Sequence, residues 1–212
     1  MFELEAAPLL IPEGAWKEVP GSVVAPKGFR STGMYSGMRA GKRADLALIA
    51  CDVGAVAAGT FTQNVMCAAP VTVCKDVIAK NRGAVKAVLV NAGQANAATG
   101  DLGMKDAKAS QAALAGVLGC STDDVLIMST GVIGRRLALD KMTAALPELV
   151  ENLGSSEEDG KRAAVAITTT GAPSPPAIPA CMSAMLPRSK ELAARPWWVQ
   201  TWCSKAAHLR CN

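Results

Sequence analysis

Two polar stretches carry residue types and spacings suited to binding chemistry. The apolar run Val125-Leu126-Ile127-Met128 ends in Ser129-Thr130-Gly131-Val132-Ile133-Gly134. The apolar stretch 85–90 ends in Asn91-Ala92-Gly93-Gln94-Ala95-Asn96-Ala97-Ala98-Thr99-Gly100. Glycine lets backbone approach a ligand closely, and successive N–H groups with nearby hydroxyls can hold a phosphate or stabilise an oxyanion. Both stretches also have the ordinary composition of strand-to-loop turns. A third polar run, Thr168-Thr169-Thr170, follows Ala166-Ile167. Strand ends of this kind are where ligands sit in open α/β sheets.

Other chemistries find little support. No phosphate-loop lysine accompanies the glycines, so a nucleotide-binding P-loop is not expected. The single histidine, His208, lies near the C-terminus, which leaves residues 1–170 without a Ser-His-Asp triad. No pair of carboxylates stands out as acid and base. The seven cysteines, Cys51, Cys67, Cys74, Cys120, Cys181, Cys203 and Cys211, form no Cys-x-x-Cys pair, so no metal site is expected. The first four read as buried reduced thiols. Residues 171–212 carry five of the 22 Lys/Arg and one of the 18 Asp/Glu, so the net charge of +4 belongs to the tail. A neutral body argues against nucleic-acid binding. No apolar stretch is long enough to span a membrane; residues 44–59 are interrupted by Asp45 and Asp52. Met1-Phe2-Glu3-Leu4-Glu5 is acidic, unlike a secretory leader, and no transit segment is expected in the chain.

The elements that must position the polar stretches follow from pattern. Residues 1–28, rich in Pro and Gly, read as an extended N-terminal segment. Leu46-Ala47-Leu48-Ile49-Ala50-Cys51 is a strand buried on both faces. Residues 56–62, with β-favouring Thr60-Phe61-Thr62, make a second strand candidate. Residues 70–79 read as a strand edge passing into a short helix, and 85–90 and 125–128 as buried strands. A helix is predicted over 105–118, stopped by Gly119. Another spans 137–153, with Asp140 capping its start and Pro147 tolerated or marking a break. Ser156-Glu157-Glu158-Asp159 resembles a capping box before a helix through Ala166, and Ile167-Thr168-Thr169-Thr170 reads as a strand-like end. The alternation of strand and helix indicates an α/β domain over 29–170.

Residues from about 10 to 170 resemble the N-terminal half of the ArgJ family. These are ornithine acetyltransferases, or glutamate N-acetyltransferases, of arginine biosynthesis. The resemblance is carried by Val24-Ala25-Pro26-Lys27-Gly28-Phe29-Arg30, Asp45-Leu46-Ala47-Leu48-Ile49 and Gly59-Thr60-Phe61-Thr62-Gln63-Asn64. Residues 91–100, which are close to the plant and cyanobacterial form, Ser129-Thr130-Gly131-Val132-Ile133-Gly134 and Ala166-Ile167-Thr168-Thr169-Thr170 complete it. It implies a DmpA/ArgJ-like αββα layered sandwich, here its N-terminal half with a non-matching tail. It also implies an acyltransferase whose precursor cleaves itself before a threonine in Ala-Thr-Met-Leu. That threonine takes an acetyl group from N-acetylornithine, or from acetyl-CoA as a donor substrate, and passes it to glutamate. No cofactor is implied. An N-terminal amine serves as the base of such a nucleophile. The family's oxyanion hole maps to Thr130 and Gly131, and its substrate-binding Thr run to Thr169 or Thr170; Asn91, Gly93 and Asn96 are secondary site candidates. The partner is a C-terminal β chain of the same family, in a heterotetramer, and the plant-like pattern implies a chloroplast, with the cytoplasm as alternative.

After Thr170 the pattern is lost: Gly171 stands where the family has Asp. Residues 171–212 hold six of the twelve prolines and three of the four tryptophans, and no sustained periodicity. Trp197, Trp198 and Trp202 would make a binding patch on one reading. The favoured reading is an irregular, disordered tail outside the fold, from a frameshift, splice or gene-ending change. Pro179-Ala180-Cys181-Met182-Ser183-Ala184-Met185-Leu186 faintly echoes the nucleophile segment, but lacks its threonine, so no nucleophile is assigned, Ser183 included. The expectation is a truncated, inactive N-terminal chain. The alternative is a non-catalytic short isoform that binds the full-length subunit. A nucleotide-binding module is disfavoured.

Overall fold

A computed structural model describes residues 16–18, 21–168 and 185–187. The Thr169, Thr170 and Ser183 assignments, His208 and the tryptophan cluster lie outside the described residues. Of the tail, Met185–Pro187 (β6) pairs antiparallel with Trp16–Glu18 (β1).

The main sheet has the order β2-β3-β4-β5, built from Phe29–Met34, Leu46–Ala55, Val85–Gln94 and Val125–Val132. β2–β3 and β3–β4 are antiparallel, whereas β4–β5 is parallel. The parallel step requires a crossover, and Gly100–Leu118 (α2) supplies it. β3 meets the expectation of a strand covered on both sides: Leu46 to Cys51 are all buried. Alternation then divides the sheet. Leu46, Leu48, Leu89, Val125 and Ile127 face one core with Ala69–Asn81 (α1), α2 and Leu139–Glu151 (α3). Ala47, Val90 and Met128 face the other side, where Ala163 and Ala166 of Glu157–Ala166 (α4) pack on them. The fold is thus mixed α/β, with a helix layer and one sheet. On the α4 side, Val88 and Met128 are only half-buried.

α4 lies close against β2 because Gly33 has no side chain. A Cβ there would overlap the Arg162 carbonyl oxygen. The capping box that starts α4 is present: Ser156 Oγ accepts the Asp159 N–H, and the Asp159 carboxylate accepts the Ser156 N–H at 3.0 Å. Gly119, in the left-handed conformation at φ 65°, ends α2 as its position predicts.

Several expectations change. Residues 56–62 form no strand: β3 stops at Ala55, paired with Val85, the first residue of β4. Beyond that point Ala57 N–H meets the Arg82 carbonyl at the C-terminal end of α1, not a strand, and β propensity without a partner strand makes no ladder. The strand edge read at 70–79 is helix throughout, since Pro70 sits in the first turn of α1, where a missing N–H costs nothing. Asp140 does not cap α3. Instead Gln94 Oε1, from the end of β4, accepts the Ala138 N–H at 2.6 Å. Pro147 is tolerated inside α3. Ile167 and Thr168 close α4 rather than begin a strand, their N–H groups donating to Ala163 and Val165 carbonyls. The N-terminal segment is not wholly extended: Ser22–Val24 form a buried 3-10 turn. Cys51 and Cys74 are buried free thiols as expected, but Cys67 and Cys120 are only half-buried.

Candidate functional site

The first four residues of each polar stretch lie within the strands rather than beyond them: Asn91 pairs with Ser129, Ala92 with Thr130, Gly93 with Gly131 and Gln94 with Val132. Parallel pairing puts both C-terminal ends at the same edge. The chain beyond is pinned too, by Ala95 N–H to Val132 O at 2.9 Å and Gly134 N–H to Ala97 O at 2.8 Å. Arg136 grips Asp106 of α2 with two hydrogen bonds, at 3.0 and 2.6 Å, holding the segment after Gly134 against the helix layer. That bidentate contact raises the Arg136 pKa, so its charge is permanent.

Pleat alternation separates the two hydroxyls of β5. Ser129 follows Ile127 onto the helix-layer side and, with Asn91, Ser110 and Met142, lines a small cavity. Thr130 follows Met128 onto the α4 side, half-buried, and Gly131 is exposed. Gly131 has φ +132°, and a Cβ on it would overlap the Gly93 carbonyl carbon. Only glycine fits there without strain. Gly93, at φ +107°, lies under the stem of Arg39; a Cβ would come within 2.6 Å of Arg39 Cγ.

The secondary candidates divide. Asn91 is buried and donates through Nδ2 to the Gln94 carbonyl at 2.9 Å, while its Oδ1 has no partner among the described residues. Asn96 is fully buried with φ +46°, a conformation its short amide tolerates. It donates to Gly103 O at 2.9 Å and accepts from Thr99 Oγ1 at 2.8 Å, fastening the loop to the first turn of α2. Both asparagines therefore build the edge from beneath, and Gly93 allows the close packing. Thr130 and Gly131 alone among the five described candidates face outward at the edge.

Sequence reasoning passed over Arg39 and Gln94. Arg39 reaches from the β2–β3 connection to the Thr168 carbonyl at the end of α4. Gln94 starts α3 from a distant strand. Neither partner is near in sequence, so no local pattern marks them. Among the described residues no cluster of His, Cys, Asp or Glu could hold a metal ion, and no helix is long and apolar enough to cross a membrane.

What the edge can do chemically is present two adjacent donors, a side-chain hydroxyl and a backbone N–H, to a developing negative charge. Comparison with known proteins places the chain in a family. The chain is similar to the arginine biosynthesis bifunctional protein ArgJ, chloroplastic, of Zea mays, at 55% identity over 168 residues. It is 54% identical to the protein of the same description from Sorghum bicolor. It spans 36% of the length of these curated relatives, and they cover 79% of it. Its fold matches the crystal structure of ornithine acetyltransferase complexed with ornithine from Mycobacterium tuberculosis: TM-score 0.68, 36% identity, 74% of this chain and 83% of that one. The arginine biosynthesis bifunctional protein of Bacillus halodurans matches with TM-score 0.68 at 34% identity, covering 74% of this chain and 81% of that one. The ArgJ family profile matches residues 30–178, and this chain belongs to the ArgJ family.

Proposed function

We propose that this chain serves acetyl transfer from N-acetylornithine to glutamate, the ornithine acetyltransferase reaction of arginine biosynthesis, as its oxyanion-stabilising part. The observation that carries the reading is the β4–β5 edge, where Thr130 and Gly131 stand side by side at a pinned parallel register. An acetyl group passed through a threonine ester traverses two tetrahedral intermediates, one on acylation and one on transfer. Each places negative charge on the former carbonyl oxygen. The Thr130 hydroxyl and Gly131 N–H donate to that oxygen. Thr169 or Thr170, which follow Thr168 in the sequence, contact the substrate. Acetyl-CoA is the alternative donor, and no cofactor takes part. The nucleophilic threonine comes from a C-terminal β chain of the family, with which this chain forms a heterotetramer in the chloroplast.

A second reading, a non-catalytic short form that binds a full-length subunit, draws support from the half-buried Val88 and Met128 on the α4 side of the sheet. Both readings are tested by purifying the chain alone and co-expressed with a C-terminal ArgJ chain, then assaying acetyl transfer to glutamate. The first expects no turnover alone and turnover in the co-purified assembly. Co-purification without turnover favours the second, and absence of any complex counts against both.

A further inference from the structure

Arg39 belongs to none of the family motifs, yet it spans the candidate site. Its backbone N–H donates to Asp45 Oδ2 at 2.8 Å. The other oxygen of the fully buried Asp45 accepts the Ser36 N–H at 2.6 Å and the Ser36 hydroxyl at 2.7 Å. One carboxylate therefore fixes the whole bend from Ser36 to Arg39. From there the Arg39 stem crosses Gly93, close enough that no side chain fits at that position. Its guanidinium then donates through Nη1 to the Thr168 carbonyl. Thr168 is the last turn of α4, with its N–H and its hydroxyl both donating to Val165 O.

The electrostatics favour this bridge. The last carbonyls of a helix lack intrahelical donors and carry the negative end of the helix dipole. A guanidinium satisfies such a carbonyl while remaining charged, and its planar donors hold one orientation. Gly93 sits opposite Gly131 in the β4–β5 register, so the Arg39 stem lies one strand away from the Thr130–Gly131 step.

We infer that Arg39 is a positioning residue. It ties Thr168, at the C-terminal end of α4, to the strand edge carrying Thr130 and Gly131. Its consequence for substrate rests on the acetyl-transfer reading, whereas the tie itself is a property of this chain. Arg39 acts through the Thr168 carbonyl.

The test uses the full 212-residue chain as wild type, Arg39→Met and Arg39→Lys, with amide hydrogen exchange and N-acetylornithine titration. Arg39→Met keeps the stem and removes the donors. It is expected to speed exchange about tenfold at residues 165–168, leaving α1 and α2 protected as before. Arg39→Lys restores a cation with one donor site and is expected to recover part of that protection. N-acetylornithine affinity is expected to weaken about tenfold in Arg39→Met and to return partway in Arg39→Lys. Unchanged exchange at 165–168 in both variants overturns the inference. So does acceleration spread evenly over the sheet core, which means loss of fold rather than of a tie. Wild-type chain that binds no N-acetylornithine counts against the functional reading, and the exchange pattern then decides the tie alone.

Discussion

Gly93 and Gly131 stand opposite one another in the parallel β4–β5 ladder, and both have positive φ, +107° and +132°. Two glycines facing across a register let the strand backbones meet without side chains between them. This contact, rather than a loop, sets the height of the candidate oxyanion hole above the sheet.

Gly131→Ala tests that contact. The new methyl meets the Gly93 carbonyl carbon, and the backbone conformation disfavours any L side chain. A loss of about 2 kcal/mol is expected, read as a lower urea midpoint at unchanged slope. A midpoint equal to wild type would show that the strands separate at no cost.

Thr130→Val and Ser129→Ala form a matched pair. Thr130→Val keeps shape and removes the hydroxyl at a half-buried outward position. Stability should change by about 0.5 kcal/mol or less, while acetyl transfer in the assembled enzyme falls on the order of a hundredfold. Ser129, which lines the cavity on the helix-layer side, should tolerate Ala with a near wild-type rate. Equal rate losses in the two variants would remove Thr130 from its assigned role.

The start of α4 makes an acid-sensitive joint. The Asp159 carboxyl is held below its usual range, first by the Ser156 hydroxyl, then against the opposing effect of burial by the Ser156 N–H and by Arg162. A depressed folded value means the carboxylate's contribution is complete above the unfolded carboxylate range and is lost as pH falls through the folded value. Ser156→Ala removes the leading cause. It should cost about 1 kcal/mol at neutral pH and move the acid loss of α4 helicity to higher pH. Circular dichroism along an acid titration reads both; superimposable wild-type and variant curves would contradict the assignment.

What the sequence made legible was local or periodic. Buried strands at 46–51, 85–90 and 125–128 announce themselves by near-continuous apolar character, interrupted only by Lys86. Gly119 and the Ser156 box mark helix ends through chemistry within a few residues. The errors arose where distant groups decide. Thr60-Phe61-Thr62 has strand propensity, but Phe61 packs on the helix layer and under the Lys75 ammonium, since β4 starts too late to pair with it. Asp140 is a good capping residue by type, yet Gln94 from another strand reaches the helix start first. β2 escaped notice because Arg30, Ser31, Thr32 and Gly33 lack apolar alternation; the bridge of Ser31 to Gly154 and the approach of α4 at Gly33 explain their burial. The candidate pair Thr130–Gly131 stood out by type and resemblance, whereas its outward facing needed the register.

That register has a further consequence. Strand side chains alternate with a period of two, so sliding β5 by a single residue would turn Thr130 inward and present Ser129 in its place. Val125 and Ile127 make such a slide costly, because it would lift them out of the helix-layer core. Two aliphatic residues buried in the helix-layer core thereby decide which hydroxyl the strand edge presents. A mutation that blurs their alternation would exchange one alcohol for another at that edge without changing Ser129 or Thr130.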